Sequence, residues 1–419
     1  MPDVVIGTKQ GGLLENGSRQ APLTFIDLFS GGGGFSTGFA YGFGGKPLFS
    51  PVLAVDLDAW AVQTYKLNFP DVPVIRADLS ALGGGEVYSL TRKLGVRTGG
   101  LDALLAAPPC QSYSVNNRGS SNRGRADFDV RDYLFRHAVA WLRILRPKVF
   151  ILENVLPMKT ILNGAIHEEL MNRLDDIHYV AKCFTLNAVN FGVPQRRERL
   201  FYVAVRDDVA RTFAAPIAQL TTVSVRQAIS DLPVRRPGQG IRPFASGFAP
   251  TSQDPGRSYS AIMRPERGEL IHHHYAKPLS RLALKRLRSL RAGEALAQLP
   301  MELQPRMGFR GAYGRLDPDL PAPTITGNFD YVSRGRFSHY DQDRGITFRE
   351  GARLQSFPDR FRWLGPSYEQ IALQIGNAVP PLIAYGLAQH VGKILSVQRD
   401  DQAMAATSGE LGDVNAAAE

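Results

Sequence analysis

The sequence is poor in cysteine, with two in 419 residues. At most one bridge could form, so no disulfide framework is expected and reduced thiols are the default. No apolar run approaches the ~20 residues that a membrane span needs. The first residues, MPDVVIGTKQGGLLENGSRQ, lack the apolar middle of a signal peptide. Internal repeats and long low-complexity tracts are missing as well. What remains, 44% hydrophobic and 21% charged, fits a water-soluble globular chain of two or three domains, expected in the cytoplasm.

The charge is unevenly placed. Between Arg235 and Arg315 there are 15 Lys/Arg against 5 Asp/Glu, an excess equal to the net charge of +10 for the whole chain. A basic region on a neutral body suggests a polyanionic partner, with nucleic acid first among the candidates.

Along the first 205 residues, short apolar runs alternate with helical stretches. TFIDLF (24–29), VLAVD (52–56), VPVI (72–75), DALLAA (102–107), KVFIL (148–152) and LFYVAV (200–205) read as strands. DAWAVQTYKLNF (58–69) and YLFRHAVAWLRIL (133–145) read as helices between them. This alternation predicts a mostly parallel α/β sheet with helices on both faces. From about 231 the pattern gives way to Pro-, Gly- and Arg-rich sequence. Within it, Leu279, Ala283, Leu287 and Leu290 recur at helical spacing beside Arg281, Lys285 and Arg288, an amphipathic basic helix. IAYGLAQHVGKIL (383–395) is a further helix that could pack back on the sheet. The expected organisation is a disordered tail over 1–20 and a catalytic and cofactor-binding domain over 21–230. A smaller irregular domain over 231–365, a returning helical region over 366–396 and a second tail over 397–419 follow.

The segment TFIDLFSGGGGFSTGF (24–39) runs strand, glycines, helix, an arrangement that binds nucleotide-like ligands at the edge of an α/β sheet. Its glycines do not match the dinucleotide fingerprint: Gly31 and Gly33 lead to Ser36, and Gly32 and Gly34 lead to Thr37. They do not match a P-loop either, since Gly33 and Gly38 are followed by Phe39 and Ala40. Asp56, at the end of the second strand, suits a ribose diol, and Asp78 suits an adenine amino group. Ribose and adenine without a phosphate clamp point to S-adenosylmethionine.

One of the two cysteines stands in LLAAPPCQSYS (104–114). Pro108 and Pro109 end the fourth strand, and Cys110 follows at the carboxyl edge, where such folds place ligands. The loop after it is polar and basic, which makes Cys110 a candidate nucleophile rather than a packing residue. RPKVFILENV (146–155) delivers Glu153 and Asn154 to a strand end, where desolvation raises a carboxyl pKa and favours proton donation. NFGVPQRRERLF (190–201) puts Arg197 and Arg199 on one side of the chain and Glu198 on the other.

Six segments in order, DLFSGGGGF, APPCQSYS, LENV, PQRRERLF, RGITFREGARLQSFPD (344–359) and LQIGNAVPP (373–381), resemble the DNA (cytosine-5)-methyltransferases. The resemblance covers nearly everything except the tails and the basic middle. It implies an S-adenosylmethionine-dependent, Rossmann-like catalytic domain with a smaller target-recognition domain. Cys110 would be the nucleophile, Glu153 the acid on the cytosine, and Arg199 the holder of the ring oxygen, supported by Arg197. Phe29, Ser30, Gly31, Gly33, Asp56, Asp78, Leu134, Asn377 and Val379 would line the cofactor pocket. Asn154 would brace the Cys110 loop, while Thr347, Glu350 and Arg353 would organise the small domain. Tyr340 stands after His339 where the family often has proline.

The implied substrate is a cytosine flipped out of duplex DNA, with 111–128 as a lid and recognition within roughly 235–330, including PAPTITGNFD (321–330). The implied partner is double-stranded DNA, without a membrane. The chain is expected to act as a monomer, with any cognate restriction endonuclease acting separately. No metal is required, and His272, His273 and His274 read as surface or DNA-contacting residues. Alternatives are a catalytically silent DNA-binding regulator and a tRNA cytosine-5 methyltransferase; the latter carries a Cys-Phe-Thr signature in its later variable region, whereas Cys183-Phe184-Thr185 here precedes PQRRERLF and reads as coincidence. The failed glycine fingerprint disfavours an NAD- or FAD-dependent oxidoreductase.

Overall fold

The computed structural model describes residues 21–44, 46–109, 133–218, 222–235, 258–264, 270–305 and 311–396. Cys110, the expected lid over 111–128, both tails and most of the irregular stretch after 235 lie outside the described residues.

Seven strands form one sheet: β1 Leu23–Leu28, β2 Phe49–Asp56, β3 Val74–Arg76, β4 Ala103–Ala106, β5 Val149–Asn154, β6 Tyr179–Asn187 and β7 Glu198–Arg206. Their order is β3-β2-β1-β4-β5-β7-β6. β1 to β5 run parallel, and β7 runs antiparallel to both of its neighbours. Six strands match the apolar runs of the sequence. The seventh, β6, has the mixed sequence YVAKCFTLN and is half-buried along most of its length. It is an edge strand, so one neighbour and partial cover suffice, and no continuous apolar run marks it.

Period-2 alternation sends each strand's side chains to two cores. Leu200, Tyr202 and Ala204 of β7 join Ile26, Leu28, Leu53 and Val55 on one face. Phe201, Val203 and Val205 join Phe25, Leu105 and Ile151 on the other. Helices α3 Gly84–Lys93, α4 Phe135–Leu145 and α5 Ala165–Asp175 cover the first face. The second is covered by α1 Gly34–Ala40 and by the last helix, over 381–396, through Phe35, Phe39, Ile383, Leu387 and Val391. The stretch from Tyr368 to Ser396 is apolar and helical enough to match a membrane span, but its most apolar window is 67% buried in this packing. It is also interrupted over 378–380, beside Pro380 and Pro381.

A third core joins α2 Ala59–Asn68 to the second half of the chain. Its other helices are α6 Val225–Ile229, α7 Tyr259–Met263, α9 Phe348–Leu354 and α10 Tyr368–Asn377. The basic helix α8, Arg281–Arg288, packs separately through Ala283 and Leu287 against Val332. α6 joins this core through Val225, Ala228 and Ile229, ahead of the change in composition. Thr347 and Glu350 cap α9 reciprocally, and Glu350 also takes both Nη atoms of buried Arg344 at 2.6 and 2.7 Å. Burial alone would raise the Glu350 pKa, but the Arg344 guanidinium holds it well below the usual carboxylate range. Arg353 pairs with Asp359 and Asp231. Arg349 donates to the carbonyls of His272, Pro358 and Phe361.

The histidine run is not a surface feature. His273 and His274 are buried, with only His272 half-exposed. His274 bonds Thr347 Oγ1 at 3.0 Å and the Pro233 carbonyl at 2.7 Å, and His273 Nε2 accepts from the Trp363 amide at 3.1 Å. Burial depresses both pKa values, so the rings are neutral core members.

Candidate active site

The chain order reverses between β1 and β4, which makes their carboxyl ends the ligand-binding crevice of the sheet. The loop after β1 is shaped by unusual backbone: φ is +54° at Phe29, +53° at Gly31 and +102° at Gly33. Gly33 is needed there, because an added Cβ would lie 2.9 Å from the Phe69 ring. Gly34 also has no room, since a Cβ would fall 2.6 Å from the Val379 carbonyl. Above Gly31, by contrast, a Cβ would meet nothing within 4 Å, so this backbone faces open space.

Asp56 anchors that loop. Its carboxylate accepts from the Gly31 amide at 2.7 Å and from the Asp58 amide at 2.8 Å. Burial raises its pKa, and these two bonds oppose the rise. Ser30 is buried, and its Oγ has no hydrogen-bond partner among the described residues. Asp78 lies just beyond β3, exposed, with Oδ1 accepting from the Ser80 amide and hydroxyl. Those bonds hold its pKa below the usual value. Leu134 is half-buried at the start of α4, and Val379 is buried against α1. Asn377 is exposed at the end of α10.

The other side of the crevice comes from β5 and β7. Because β7 is antiparallel, its first residues lie at the same edge as the last residues of β5, with Glu153 opposite Phe201 and Asn154 opposite Leu200. Arg199 Nε is 3.3 Å from Glu153 Oε1. Burial raises the Glu153 pKa against the opposing fields of Arg199 and Arg197. Asn154 Nδ2 donates to the Pro108 carbonyl at 3.4 Å, which ties the end of β5 to the residues leading into Cys110. Arg197 is buried and spends its donors elsewhere: Nη1 on the Ile325 and Gly376 carbonyls, both at 3.1 Å, and Nη2 on the Ala378 carbonyl at 3.3 Å. Glu198 faces solvent.

A model of the C-5 cytosine-specific DNA methylases matches residues 23–393. The chain belongs to the C-5 cytosine-specific DNA methylase family. It is 33% identical to the type II methyltransferase M1.HphI of Haemophilus parahaemolyticus over 372 residues, covering 89% of this chain and 87% of that one. With M.DdeI of Desulfomicrobium norvegicum the identity is 31% over 396 residues, covering 88% of each. Its fold is similar to that of a protein described as a prophage-encoded DNA modification methyltransferase of E. coli, with TM-score 0.68 and 24% identity over 89% of this chain and 99% of that chain. This DNA cytosine-5 methyltransferase therefore uses S-adenosylmethionine as its methyl donor. The crevice suits that ligand: open space over Gly31 and the Ser30 hydroxyl, unpartnered among the described residues, lie on one loop, and the Asp56 carboxylate meets it from the end of β2.

Sequence reading missed a buried chain beneath the methylase's glycine loop. Tyr65 OH donates to Ser36 Oγ at 2.7 Å, and Ser36 Oγ donates to Asp27 Oδ2 at 2.6 Å. Asp27 Oδ1 is buried without a partner, and burial pushes the Asp27 pKa up to about 7. The acid within DLFSGGGGF was the available signal.

Proposed function

We propose that this DNA cytosine-5 methyltransferase acts on a specific duplex sequence through a covalent Cys110–cytosine adduct, on a base flipped out of the helix. The observation that carries the reading is the meeting of Glu153 and Arg199 at the sheet edge, with Asn154 reaching from the same strand end to Pro108. A base stacked in duplex DNA could not reach such a recessed edge, so flipping is required.

Carbon 5 of cytosine is a weak nucleophile. The Cys110 thiolate adds to carbon 6 while Glu153 gives its proton to ring nitrogen 3, leaving an electron-rich enamine at carbon 5. Arg199 holds the ring oxygen beside Glu153. S-adenosylmethionine, when bound, supplies an electrophilic methyl on a sulfonium. Once carbon 5 has taken the methyl group, leaving the donor as a neutral thioether, solvent water accepts the carbon-5 proton, the 5,6 double bond re-forms, the carbon–sulfur bond breaks, and Cys110 leaves as thiolate. The proton on nitrogen 3 returns to Glu153. Phe29, Ser30, Gly31, Gly33, Asp56, Asp78, Leu134, Asn377 and Val379 hold the cofactor. The enzyme works as a monomer, with any restriction endonuclease a separate protein.

The tripeptide weighed for the tRNA alternative sits in the sheet. Cys183, Phe184 and Thr185 lie within β6, paired with Tyr202, Phe201 and Leu200. Burial raises the Cys183 pKa, which leaves it a poor nucleophile. Expression in a host without DNA methylation, followed by bisulfite sequencing, tests the function. Protected cytosines confined to one short duplex motif are expected; unmodified DNA alongside methylated tRNA would reverse the assignment.

A further inference from the structure

We infer that Arg197 is a positioning residue that fixes the cofactor-lining segment 376–379 and the acid Glu153 relative to one another. The inference rests on the reading of Glu153 as proton donor. Three observations support it.

The first is where the guanidinium hydrogen bonds go. Arg197 does not end on a carboxylate at contact distance. Its Nη atoms take the carbonyls of Gly376 and Ala378, which flank Asn377, and the carbonyl of Ile325. A planar fork can span three carbonyls at once, whereas the single ammonium of lysine cannot hold the same set.

The second is that the segment it grips is rigid on its other side. A Cβ at Gly376 would fall 2.2 Å from the carbonyl carbon of Thr326, so the two backbones are in direct contact. Gln355 Nε2 donates to the Ile375 and Gly376 carbonyls at 2.8 and 3.1 Å, and its Oε1 accepts from Gln195 Nε2 at 2.9 Å. Gln195 Oε1 in turn accepts from the Ile325 amide at 2.8 Å. Residues 195 and 197, just before β7, thus hold both strands of the 325–327 and 375–378 contact.

The third is electrostatic. Arg197 is buried, and Glu153 is the acid whose field supports its charge, against desolvation and the like charge of Arg199. Reciprocally, Arg197 lowers the Glu153 pKa. Among the described residues its Nε is buried with no hydrogen-bond partner. One side chain therefore touches the cofactor segment mechanically and the acid electrostatically.

Two variants separate the roles. Arg197→Lys keeps the charge and loses the fork; Arg197→Met loses both. S-adenosylmethionine affinity is measured by calorimetry, and the pH dependence of single-turnover methyl transfer is measured on duplex DNA. Both variants are expected to bind the cofactor about tenfold or more weakly, the scale of losing charged hydrogen bonds. In Arg197→Met the limb where rate falls with rising pH should move to higher pH, because Glu153 loses a cation; in Arg197→Lys it should stay. If Arg197→Met does not fold, cofactor binding by Arg197→Lys decides alone. Affinity within about twofold of the parent in the folded variants would overturn the inference, as would a pH limb unmoved in folded Arg197→Met. Glu153→Gln separates the underlying reading: if it still transfers methyl groups, Glu153 is not the acid, while the cofactor arm for Arg197 stands.

Discussion

Asp27 carries a buried carboxyl under the glycine loop, with one oxygen bonded to Ser36 and the other unpartnered among the described residues. Burial lifts its pKa from 3.8 to about 7. The folded protein therefore holds a proton that the unfolded chain has released between those values. Stability from this group is fullest below about pH 4 and falls as pH rises toward 7, with an upper limit of about 4 kcal/mol. Asp27→Asn keeps an acceptor for Ser36 and cannot ionise. Its melting temperature relative to the parent should climb between pH 4 and pH 7. A difference that is flat with pH would mean that Asp27 is ionised throughout. At this scale the sequence was partly legible. Glu153 and Arg199 could be placed from strand ends alone, because each lies at the boundary of an apolar run. The partners of Arg197 could not, since Gly376 and Ala378 are 179 and 181 residues away and are met through backbone carbonyls that carry no sequence signature. Nor could the neutrality of His273 and His274, which comes from their burial in the folded chain.

Among the elements, the basic helix α8 shows how one stripe of cations divides by partner. Ala283 and Leu287 turn inward, as their spacing predicts. Arg286 donates to the Leu303 carbonyl at 2.7 Å and to Tyr313 OH at 3.0 Å, so it is a structural member. Arg288 faces Asp343, which Arg315 also engages. Lys285 is exposed at the helix surface. Lys285→Ala should weaken binding to all duplex DNA similarly and reduce the salt slope by about 0.9, whereas Arg286→Ala should mainly lower thermal stability. An unchanged salt slope in Lys285→Ala would remove α8 from the DNA interface. The segment PAPTITGNFD also divides. Ala322, Ile325 and Phe329 are buried, and the Ala322 backbone bonds Pro194 and Arg196, so much of it supports the catalytic edge. Composition could not show this, because the same loop-like residues serve a surface reader and a buried seam.

Across the whole molecule, one antiparallel strand brings the chemistry together. The parallel strands carry the glycine loop, Asp56, the approach to Cys110 and Glu153 to the carboxyl edge, and β7 starts at that edge with Arg199. The segment before β7 also bonds Ile325 in the second half of the chain, so that half and the Glu153–Arg199 edge share one seam. The parallel sheet was legible from alternating apolar runs; the edge strand β6 and the early join at α6 were not, because neither changes composition. The central claim, attack by Cys110 on carbon 6, is tested most directly with duplex DNA in which every cytosine is replaced by 5-fluorocytosine. Fluorine cannot leave carbon 5 as a cation, so elimination stops and the adduct persists. With S-adenosylmethionine present, a stable protein–DNA complex is predicted, its modified peptide containing Cys110 and its yield abolished in Cys110→Ser. Undiminished cytosine methylation by Cys110→Ser, or an adduct mapped to another residue, would contradict the account.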